Sequence, residues 1–437
     1  MKIALITAGG AGMFCGSCMQ DNTLVRALRM GGHDAVLVPT YTPIRVDEDN
    51  ASSQHVFLGG INVYLDSKIP GFCYLPRWAK SWLDRPSVIQ AFTKFGTSTD
   101  ASGLGALTVD MLKGSAGPQR SAYQQFVDHL CNEMKPDVIV FSNALLSGVM
   151  DELRPRFSGR IECLLQGDDV FLDGLKPKWK PKVMNLLKQN CQHFDGFLVH
   201  SQYYANFMAE YLNIDRQRIR QIPLTIDVEG ATREIRQALN GHRATDGDSV
   251  ERCRIGYFAR ICPEKGADRF LEAAAQTLQQ RSDVEFVIAG FLPKQHERWF
   301  SQRYQQVIGQ FPDHVFWLGS PADRQAKFQM IRSFDYLCVP TRYREPKGLY
   351  VLEAALAGIP SLVPDHGAFP ELIQRLQLGT LFAPTDVTCL VESIQAAIDQ
   401  KTTDKTVAAD MATEVVSQHH GMAITGQVIA DLLQATS

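Results

Sequence analysis

The chain has 437 residues, of which 45% are hydrophobic and 21% are charged, and its formal net charge is −3. This length favours two or three globular domains, each large enough for a core of its own. The small charge gives no reason to expect a nucleic-acid partner, and no apolar run approaches the length that spans a membrane.

The first residues, Met1–Thr7, are interrupted too soon by Gly9 and Gly10 to be a signal peptide and are expected to form a buried strand. Without an export signal, the ten cysteines are expected to be reduced. The sequence therefore predicts a cytoplasmic protein.

In the first half of the chain, apolar runs alternate with helical patterns. Strands are predicted at residues 2–7, 34–39, 137–141, 160–165, 196–200 and about 219–224, with a helix at about 21–30. Such runs are typical of a parallel sheet covered by helices on both faces. Residues 41–120 depart from the alternation. Loops this long are usually functional or disordered. Their aromatic content, including Trp78 and Trp82, argues against disorder and so favours a functional loop.

A polar, glycine-containing break at residues 229–250 indicates a linker with room for one helix. The alternation then resumes, with strands predicted at residues 254–258, 285–289, 315–318, 336–339 and 361–363. The sequence thus predicts an α/β protein with two Rossmann-like, doubly wound domains, one over residues 1–228 and one over residues 251–417.

The segment 344–353 places two carboxylates, Glu345 and Glu353, around a proline and a glycine. Pro346 suits the first turn of a helix, and Gly348 allows another group to approach the backbone closely. Because helix N-termini bind phosphate and carboxylates bind sugar hydroxyls, this segment could hold a nucleotide-sugar. The alternative is a helix with one capping acid and one solvated acid.

A second candidate group lies where the first strand of the second domain ends. Arg260 ends that strand, and Lys265 directly precedes a helix that begins near residues 266–268. Ligands of open α/β sheets bind beyond the carboxyl ends of the strands, so both cations are expected to face a ligand. Two cations and a helix N-terminus could stabilise a departing diphosphate without a metal. The alternative is a pair of solvated surface cations.

Together these segments resemble family 4 of the retaining glycosyltransferases (glycosyl transferases group 1), which have the GT-B fold. The acids match the family's E-x7-E signature, and neighbouring family blocks are matched, in the same order, by residues 258–266, 357–363, 365–371 and 379–382. The resemblance is strong over about residues 250–400 and fainter over residues 1–230. It implies two domains facing an interdomain cleft, a C-terminal helix at about 418–437 that packs back on the first domain, and a turn at residues 379–382.

The resemblance also implies roles for single residues, with Arg260, Lys265 and Glu345 as the catalytic group. Arg260 and Lys265 would bind the diphosphate, Glu345 would contact the transferred sugar, and Glu353 would accept hydrogen bonds from the ribose. Backbone N–H groups of two further residues would contact the phosphates, namely Gly348 and Leu349. The implied reaction is the transfer of a hexose-type sugar from a nucleotide-sugar to an acceptor, with retention of anomeric configuration.

The glycine-rich loop at residues 9–16 does not fit the dinucleotide-binding fingerprint G-x-G-x-x-G, which argues against a nicotinamide-dependent oxidoreductase. The family carries a glycine pair in this loop. Counting back from Gly32 places the second glycine at Gly16, with Cys15 in place of the first. Gly16 is therefore expected to contact the donor or the acceptor.

The clearest departure from the family pattern is at residues 165–169, where Gln166 stands in place of a histidine found in many members. A glutamine can hydrogen-bond a sugar but cannot accept a proton from it. Asp168 and Asp169 could orient an acceptor hydroxyl, or Asp168 could cap the next helix. The missing histidine keeps open a catalytically silent nucleotide-sugar-binding protein, whereas the E-x7-E segment disfavours a GT-B nucleotide-sugar epimerase.

No obligatory metal and no other cofactor is expected. The D-x-D of residues 47–49 is interpreted as a solvated acidic loop, and the C-x-x-C of residues 15–18 lacks the second ligand pair of a zinc site. The basic segment 176–182, which contains Trp179, could touch an anionic membrane surface or an anionic acceptor, or it could form a solvated loop that leads into a helix. The expected partners are thus a nucleotide-sugar and an acceptor, with peripheral membrane contact as an option.

Overall fold

The structure, a computed structural model, describes residues 1–9, 16–53, 101–241, 252–400 and 404–434. It divides into two compact units, one made of Met1–Thr225 with Met422–Ser437 and the other of Ile226–Gly421. Each unit contains a six-stranded parallel sheet with helices packed against it. The predicted α/β class with two doubly wound sheets is confirmed. In the described ranges, no helix combines the length and the apolar character that crossing a membrane requires.

The sheet of the first unit contains β1 (Lys2–Thr7), β2 (Asp34–Pro39), β3 (Val138–Phe141), β4 (Arg160–Leu164), β5 (Gly196–Val199) and β6 (Ile219–Gln221). Its helices include α1 (Gly16–Met30), α2 (Ala101–Leu112), α3 (Arg120–Asp128), α4 (Met150–Leu153), α5 (Asp168–Asp173), α6 (Lys180–Asn190) and α7 (Gln202–Leu212). The strand order is β2-β1-β3-β4-β5-β6. β2 lies on one side of β1 and the later strands follow on the other side, so the strand order reverses between β1 and β3.

The second unit begins with α8 (Val228–Gly241). Its sheet contains β7 (Cys253–Phe258), β8 (Val284–Ala289), β9 (Val315–Gly319), β10 (Tyr336–Cys338), β11 (Ser361–Pro364) and β12 (Gly379–Phe382). The other helices are α9 (Ala267–Leu278), α10 (Glu297–Ile308), α11 (Arg324–Arg332), α12 (Leu349–Leu356), α13 (Phe369–Leu376), α14 (Val387–Asp399) and α15 (Lys405–His420). The order β12-β11-β10-β7-β8-β9 reverses between β7 and β10.

The last helix, α16 (Met422–Gln434), packs on α1 of the first unit. Ile429 and Leu433 are buried in one cluster with Leu24 of α1. The two helices approach closely at Gly426, where an added Cβ would lie 2.3 Å from the backbone oxygen of Ala27. The end of the chain thus completes the core of the unit in which the chain begins.

The helix allowed for in the predicted linker is present as most of α8, whose buried Ala231, Ile235 and Ala238 follow helical spacing. Two other local predictions differ from the structure. Residues 379–382, expected as a turn, form the edge strand β12, which pairs in parallel with β11 from Ser361↔Gly379 to Pro364↔Phe382. Pro346 lies before a helix rather than in its first turn, because α12 begins at Leu349 after Gly348.

Candidate functional site

The candidate site lies at the carboxyl ends of β7 and β10, where the strand order of the second sheet reverses. The loop after β7, residues 259–266, meets the loop after β10, residues 339–348. Gly266 adopts a left-handed conformation (φ +72°), and an added Cβ there would lie 1.8 Å from the backbone oxygen of Pro340. Open α/β sheets bind ligands at such reversal points, so the sequence-predicted residues stand where a ligand is expected.

Lys265 and Glu345 form a nearly enclosed ion pair between these two loops. Lys265 Nζ lies 2.5 Å from Oε2 of Glu345, whose exposed fraction is 4%. The hydroxyl of Tyr343 accepts from Lys265 Nζ at 2.8 Å and donates to Glu345 Oε2 at 2.8 Å, and Tyr350 donates to the same oxygen at 3.3 Å. The ammonium also lies 4.8 Å and 5.1 Å from the two ring centroids, where the aromatic faces attract a cation.

The electrostatics of this cluster favour an ionised glutamate. Burial raises the pKa of Glu345, but the charge and hydrogen bond of Lys265, with further help from Tyr343 and Lys347, bring that pKa below its ordinary value. Burial and the charge of Glu345 raise the pKa of Tyr343 and of Tyr350 well above the usual range. At neutral pH the cluster therefore holds a carboxylate and two protonated tyrosine hydroxyls.

Arg260 presents a second cation at the end of β7. Its side chain is exposed, while its backbone oxygen accepts a hydrogen bond from the hydroxyl of the buried Tyr257 at 2.9 Å. The backbone of Arg260 is thus fixed by the core, and its guanidinium is accessible to a ligand.

The N-terminus of α12 supplies backbone donors. Gly348 is the N-cap residue, with φ 79° and ψ 40°, and an added Cβ would lie 2.8 Å from Leu372 Cδ1. Val351 N donates to Gly348 O at 2.9 Å, whereas the N–H of Leu349, in the first turn, has no intrahelical acceptor. The helix can therefore bind an anion at Gly348 and Leu349.

Glu353 lies on the second turn of α12 and is also paired with a lysine. Its Oε1 is 2.7 Å from Nζ of Lys327, which belongs to α11. Tyr350 precedes Glu353 by three residues and therefore lies on the same side of α12. The second turn thus carries a second buried carboxylate on the side of α12 that bears Tyr350.

Four partners in this site were not predicted from the sequence: Tyr343, Tyr350, Lys347 and Lys327. Tyr343 precedes the E-x7-E segment and Tyr350 lies within it, and a hydroxyl this close in sequence to an acid is a ready donor. Lys347 lies inside that segment and is buried, which its sequence position does not show. The pairing of Lys327 with Glu353 spans 26 residues and arises from helix packing, for which the sequence carries no local signal.

In the first unit, Gln166 lies beyond the carboxyl end of β4, as predicted, and is buried. Its Nε2 donates to Asp21 Oδ1 at 2.7 Å and to the backbone oxygen of Ser142 at 3.3 Å. Asp21 also accepts a hydrogen bond from Thr7 at 2.8 Å. This network joins the ends of β1, β3 and β4 around the reversal point of the first sheet, so the amide has a structural role whatever it contacts in a ligand.

Asp168 is the first residue of α5, and its carboxylate holds neighbouring loops together. Its Oδ1 accepts from Ala144 N at 2.7 Å and its Oδ2 accepts from Gln166 N at 3.0 Å. The N-cap position belongs to Gly167, so the helix-cap alternative is wrong. Asp169 accepts from Tyr204 at 2.6 Å. An acceptor-side role for Gln166 and Asp168 stays a prediction.

Asp168 should make the stability of the first unit depend on pH. Burial raises the pKa of Asp168 to about 6 in the folded protein, above its value of about 3.9 in an unfolded chain. The folded state therefore binds the proton more tightly, so this contribution is complete below about pH 4 and is lost as the pH rises through 6. We expect this group to lower the free energy of unfolding by on the order of 2 kcal/mol between pH 4 and pH 7.

Urea denaturation at pH 4.5, 5.5 and 7 would measure that decline. Asp168→Asn should flatten it, while Asp34→Asn, at an exposed position, should leave the profile unchanged. Parallel profiles for Asp168→Asn and the unsubstituted protein would contradict the assignment.

The remaining predicted features belong to the first unit. Gly16 is the exposed first residue of α1, while Cys15 and the rest of residues 10–15, like residues 54–100, lie outside the described residues. Near the D-x-D, Glu48 pairs with Arg26 at 2.5 Å. In the ranges that the structure covers, no group of three or more His, Cys, Asp or Glu side chains could hold a metal ion.

The basic segment 176–182 leads into α6, which begins at Lys180. The side chains of Lys178 and Lys182 lie 5.1 Å and 5.5 Å from the ring centroid of Trp179. The ring itself is half-buried against Gly105, so any membrane contact here would depend on the exposed lysines. Peripheral membrane contact stays a prediction.

Residues 244–412 match the family model for glycosyl transferases group 1. The lipopolysaccharide core biosynthesis mannosyltransferase LpsB of Rhizobium meliloti (strain 1021) is 27% identical over 150 residues, which cover 34% of this chain and 42% of the relative. The phosphatidyl-myo-inositol mannosyltransferase of Mycobacterium leprae (strain TN) is 25% identical over 168 residues, or 38% and 42% of the two chains. This chain thus spans about two-fifths of the length of the curated relatives it matches.

Solved structures resemble the whole chain. Alr3699/HepE of Anabaena, in complex with UDP and glucose, has a TM-score of 0.64 and 17% identity, with 100% of both chains covered. Sucrose-phosphate synthase from Thermosynechococcus elongatus has a TM-score of 0.66 and 16% identity, with 99% of this chain and 98% of that chain covered. This likeness, with the two parallel sheets, confirms the predicted GT-B fold.

Proposed function

We propose that this protein is a retaining glycosyltransferase of family 4 that transfers a hexose-type sugar from a nucleotide-sugar to an acceptor. The observation that carries the proposal is the Lys265–Glu345 pair, which lies beside the N-terminus of α12 at the reversal point of the second sheet. The match of residues 244–412 to glycosyl transferases group 1 supports it, as do the mannosyltransferase relatives and the neighbour that binds UDP and glucose.

In this proposal the second unit binds the donor. The accessible guanidinium of Arg260 and the ammonium of Lys265 bind the diphosphate, together with the N–H groups of Gly348 and Leu349. Glu353 accepts hydrogen bonds from the ribose, and Glu345 accepts one from the transferred sugar. In the first unit, Gly16 is proposed as a further contact to the donor or the acceptor.

The reaction replaces one bond at the anomeric carbon by another on the same face of the sugar. The bond from that carbon to the phosphate oxygen breaks, and the acceptor oxygen forms the new bond. The acceptor's proton passes to the departing phosphate oxygen, so no protein base is required and Gln166 is compatible with activity. Arg260, Lys265 and the start of α12 stabilise the negative charge that develops on the diphosphate.

The test begins with thermal-shift measurements against UDP-, GDP- and ADP-sugars. The nucleotide-sugar that stabilises the protein is then incubated with and without acceptor extracts, and release of free nucleotide is followed. Acceptor-dependent release and an anomeric configuration that NMR shows to be unchanged are the expected results. Binding without acceptor-dependent release would support a silent binding protein instead, and absence of stabilisation by every sugar would contradict donor binding.

We propose that the reaction needs no metal, because two cations and a helix terminus can neutralise the departing diphosphate. Turnover should therefore persist after treatment with EDTA. The measurement is the nucleotide release rate before and after chelation, with a magnesium-dependent transferase as a control for the chelator. Complete loss that magnesium or manganese restores would contradict the proposed mechanism.

A further inference from the structure

We propose that Lys327 is a positioning residue of the donor site, which holds Glu353 so that the carboxylate is ordered before the ribose arrives. This inference rests on the proposed function, in which Glu353 binds the ribose of the nucleotide. Lys327 itself contacts no ligand in this scheme and acts only through Glu353.

Both members of the pair are buried. Lys327 is 5% exposed and Glu353 is 7% exposed, and Nζ lies 2.7 Å from Oε1. Lysine is almost never buried to this extent unless it is paired, because an unpaired buried charge is strongly unfavourable. Lys327 therefore supplies a buried counter-charge for the carboxylate of Glu353.

The pair lies near the carboxyl edge of the second sheet. Lys327 is the fourth residue of α11, and Glu353 is the fifth residue of α12. These helices follow β9 and β10, so both begin at the carboxyl edge of the sheet, where ligands bind. By contrast, the ion pair of Lys405 and Asp335, with 2.8 Å between Nζ and Oδ1, lies at the amino edge, because Asp335 directly precedes β10.

The two carboxylate oxygens of Glu353 differ in their contacts. Lys327 engages Oε1 of Glu353. In the described part of the chain, no donor lies within hydrogen-bond distance of Oε2. A carboxylate fixed through one oxygen can accept from a ribose hydroxyl through the other without first losing rotamer freedom, and such pre-organisation increases affinity.

The test compares a ribonucleotide with a matched probe that has no ribose hydroxyls. Calorimetry on the full chain would use the tightest-binding of UDP, GDP and ADP, together with its 2′,3′-dideoxy counterpart. Lys327→Met should weaken the ribonucleotide about 10- to 100-fold, the effect of one charge-assisted hydrogen bond. The dideoxy probe should change by less than about threefold, since it cannot use Glu353.

Two further variants complete the design. Lys327→Gln keeps a donor but removes the charge, so it should weaken the ribonucleotide by a smaller factor and again leave the dideoxy probe nearly unchanged. It replaces the methionine variant if that variant does not fold. Lys405→Met removes a lysine from the ion pair at the amino edge and should leave both affinities unchanged.

The outcomes separate this inference from the function on which it rests. Equal losses for both probes, or no loss for either, in folded Lys327 variants would overturn the positioning role while donor binding by the unsubstituted protein stands. If the unsubstituted protein bound none of the three nucleotides, the proposed function would be overturned together with this inference.

Discussion

Lys265→Met is expected to damage both the stability of the second unit and donor binding, whereas Arg260→Met should damage donor binding alone. Lys265 is the ammonium that compensates the buried Glu345, and the cost of removing one partner from a buried pair is about 3–5 kcal/mol. The hydroxyls of Tyr343 and Tyr350 would remain as donors, so the lower part of this range is expected. Arg260 is exposed, and its loss leaves no buried charge behind.

Urea denaturation and nucleotide calorimetry on both variants would separate these effects. The double variant Lys265→Met/Glu345→Gln removes both charges and should recover part of the lost stability, because contacting residues are not additive. It should not recover nucleotide affinity. A Lys265→Met protein as stable as the unsubstituted chain would contradict the claim that Lys265 stabilises the second unit. Unchanged nucleotide affinity in both single variants would contradict the claim that the two cations bind the diphosphate.

Much of the fold could be predicted because parallel strands buried on both faces leave a direct trace in the sequence. The run Val138–Phe141 is entirely buried, and its apolar residues alone identify it as a strand. Residues 379–382 gave no such signal, since an edge strand has only one partner and this one begins with a glycine at φ +136°. Its existence depends on the ladder to β11, which is a tertiary interaction.

The same distinction applies to the candidate site. Arg260 and Lys265 could be placed from local sequence, because one follows a strand and the other precedes a helix. The two acids could be identified from the E-x7-E signature of the family that the chain resembles. Their partners could not, because pairing depends on burial and on contacts between elements. Lys265 and Glu345 are 80 residues apart and meet only because β7 and β10 are neighbours in the sheet.

In the first unit, the sequence indicated that Gln166 and Asp168 lie near a strand end, and the structure places them there. What the sequence could not show is that both are buried and bonded within the protein. Burial changes the chemistry of Asp168 most, because it raises the pKa of that carboxyl to about 6. Polar residues at a strand end can thus serve the fold and a ligand at once, and only variants can separate the two roles.

Substitutions of the two acids of the E-x7-E segment should have different effects on nucleotide binding and turnover. Glu353→Gln should weaken binding of free nucleotide and of nucleotide-sugar alike, because the ribose is present in both. Glu345→Gln should leave the affinity for free nucleotide nearly unchanged and should lower turnover, because a contact to the transferred sugar that strengthens in the transition state appears in the rate. The expected loss in turnover is about 2–3 kcal/mol, or roughly 30- to 150-fold.

The informative measurement is the pair of quantities, nucleotide affinity and turnover, for both variants. Glu272→Gln, on the exposed face of α9, is the matched control and should change neither. Because each acid pairs with a lysine, both variants must first be shown to be folded, so that a loss of turnover or affinity is not a loss of structure. If Glu345→Gln reduced nucleotide affinity and spared turnover, the two roles would be reversed. If neither acid affected either quantity, the polar cluster between β7 and β10 would serve the fold alone, and the donor would have to bind elsewhere.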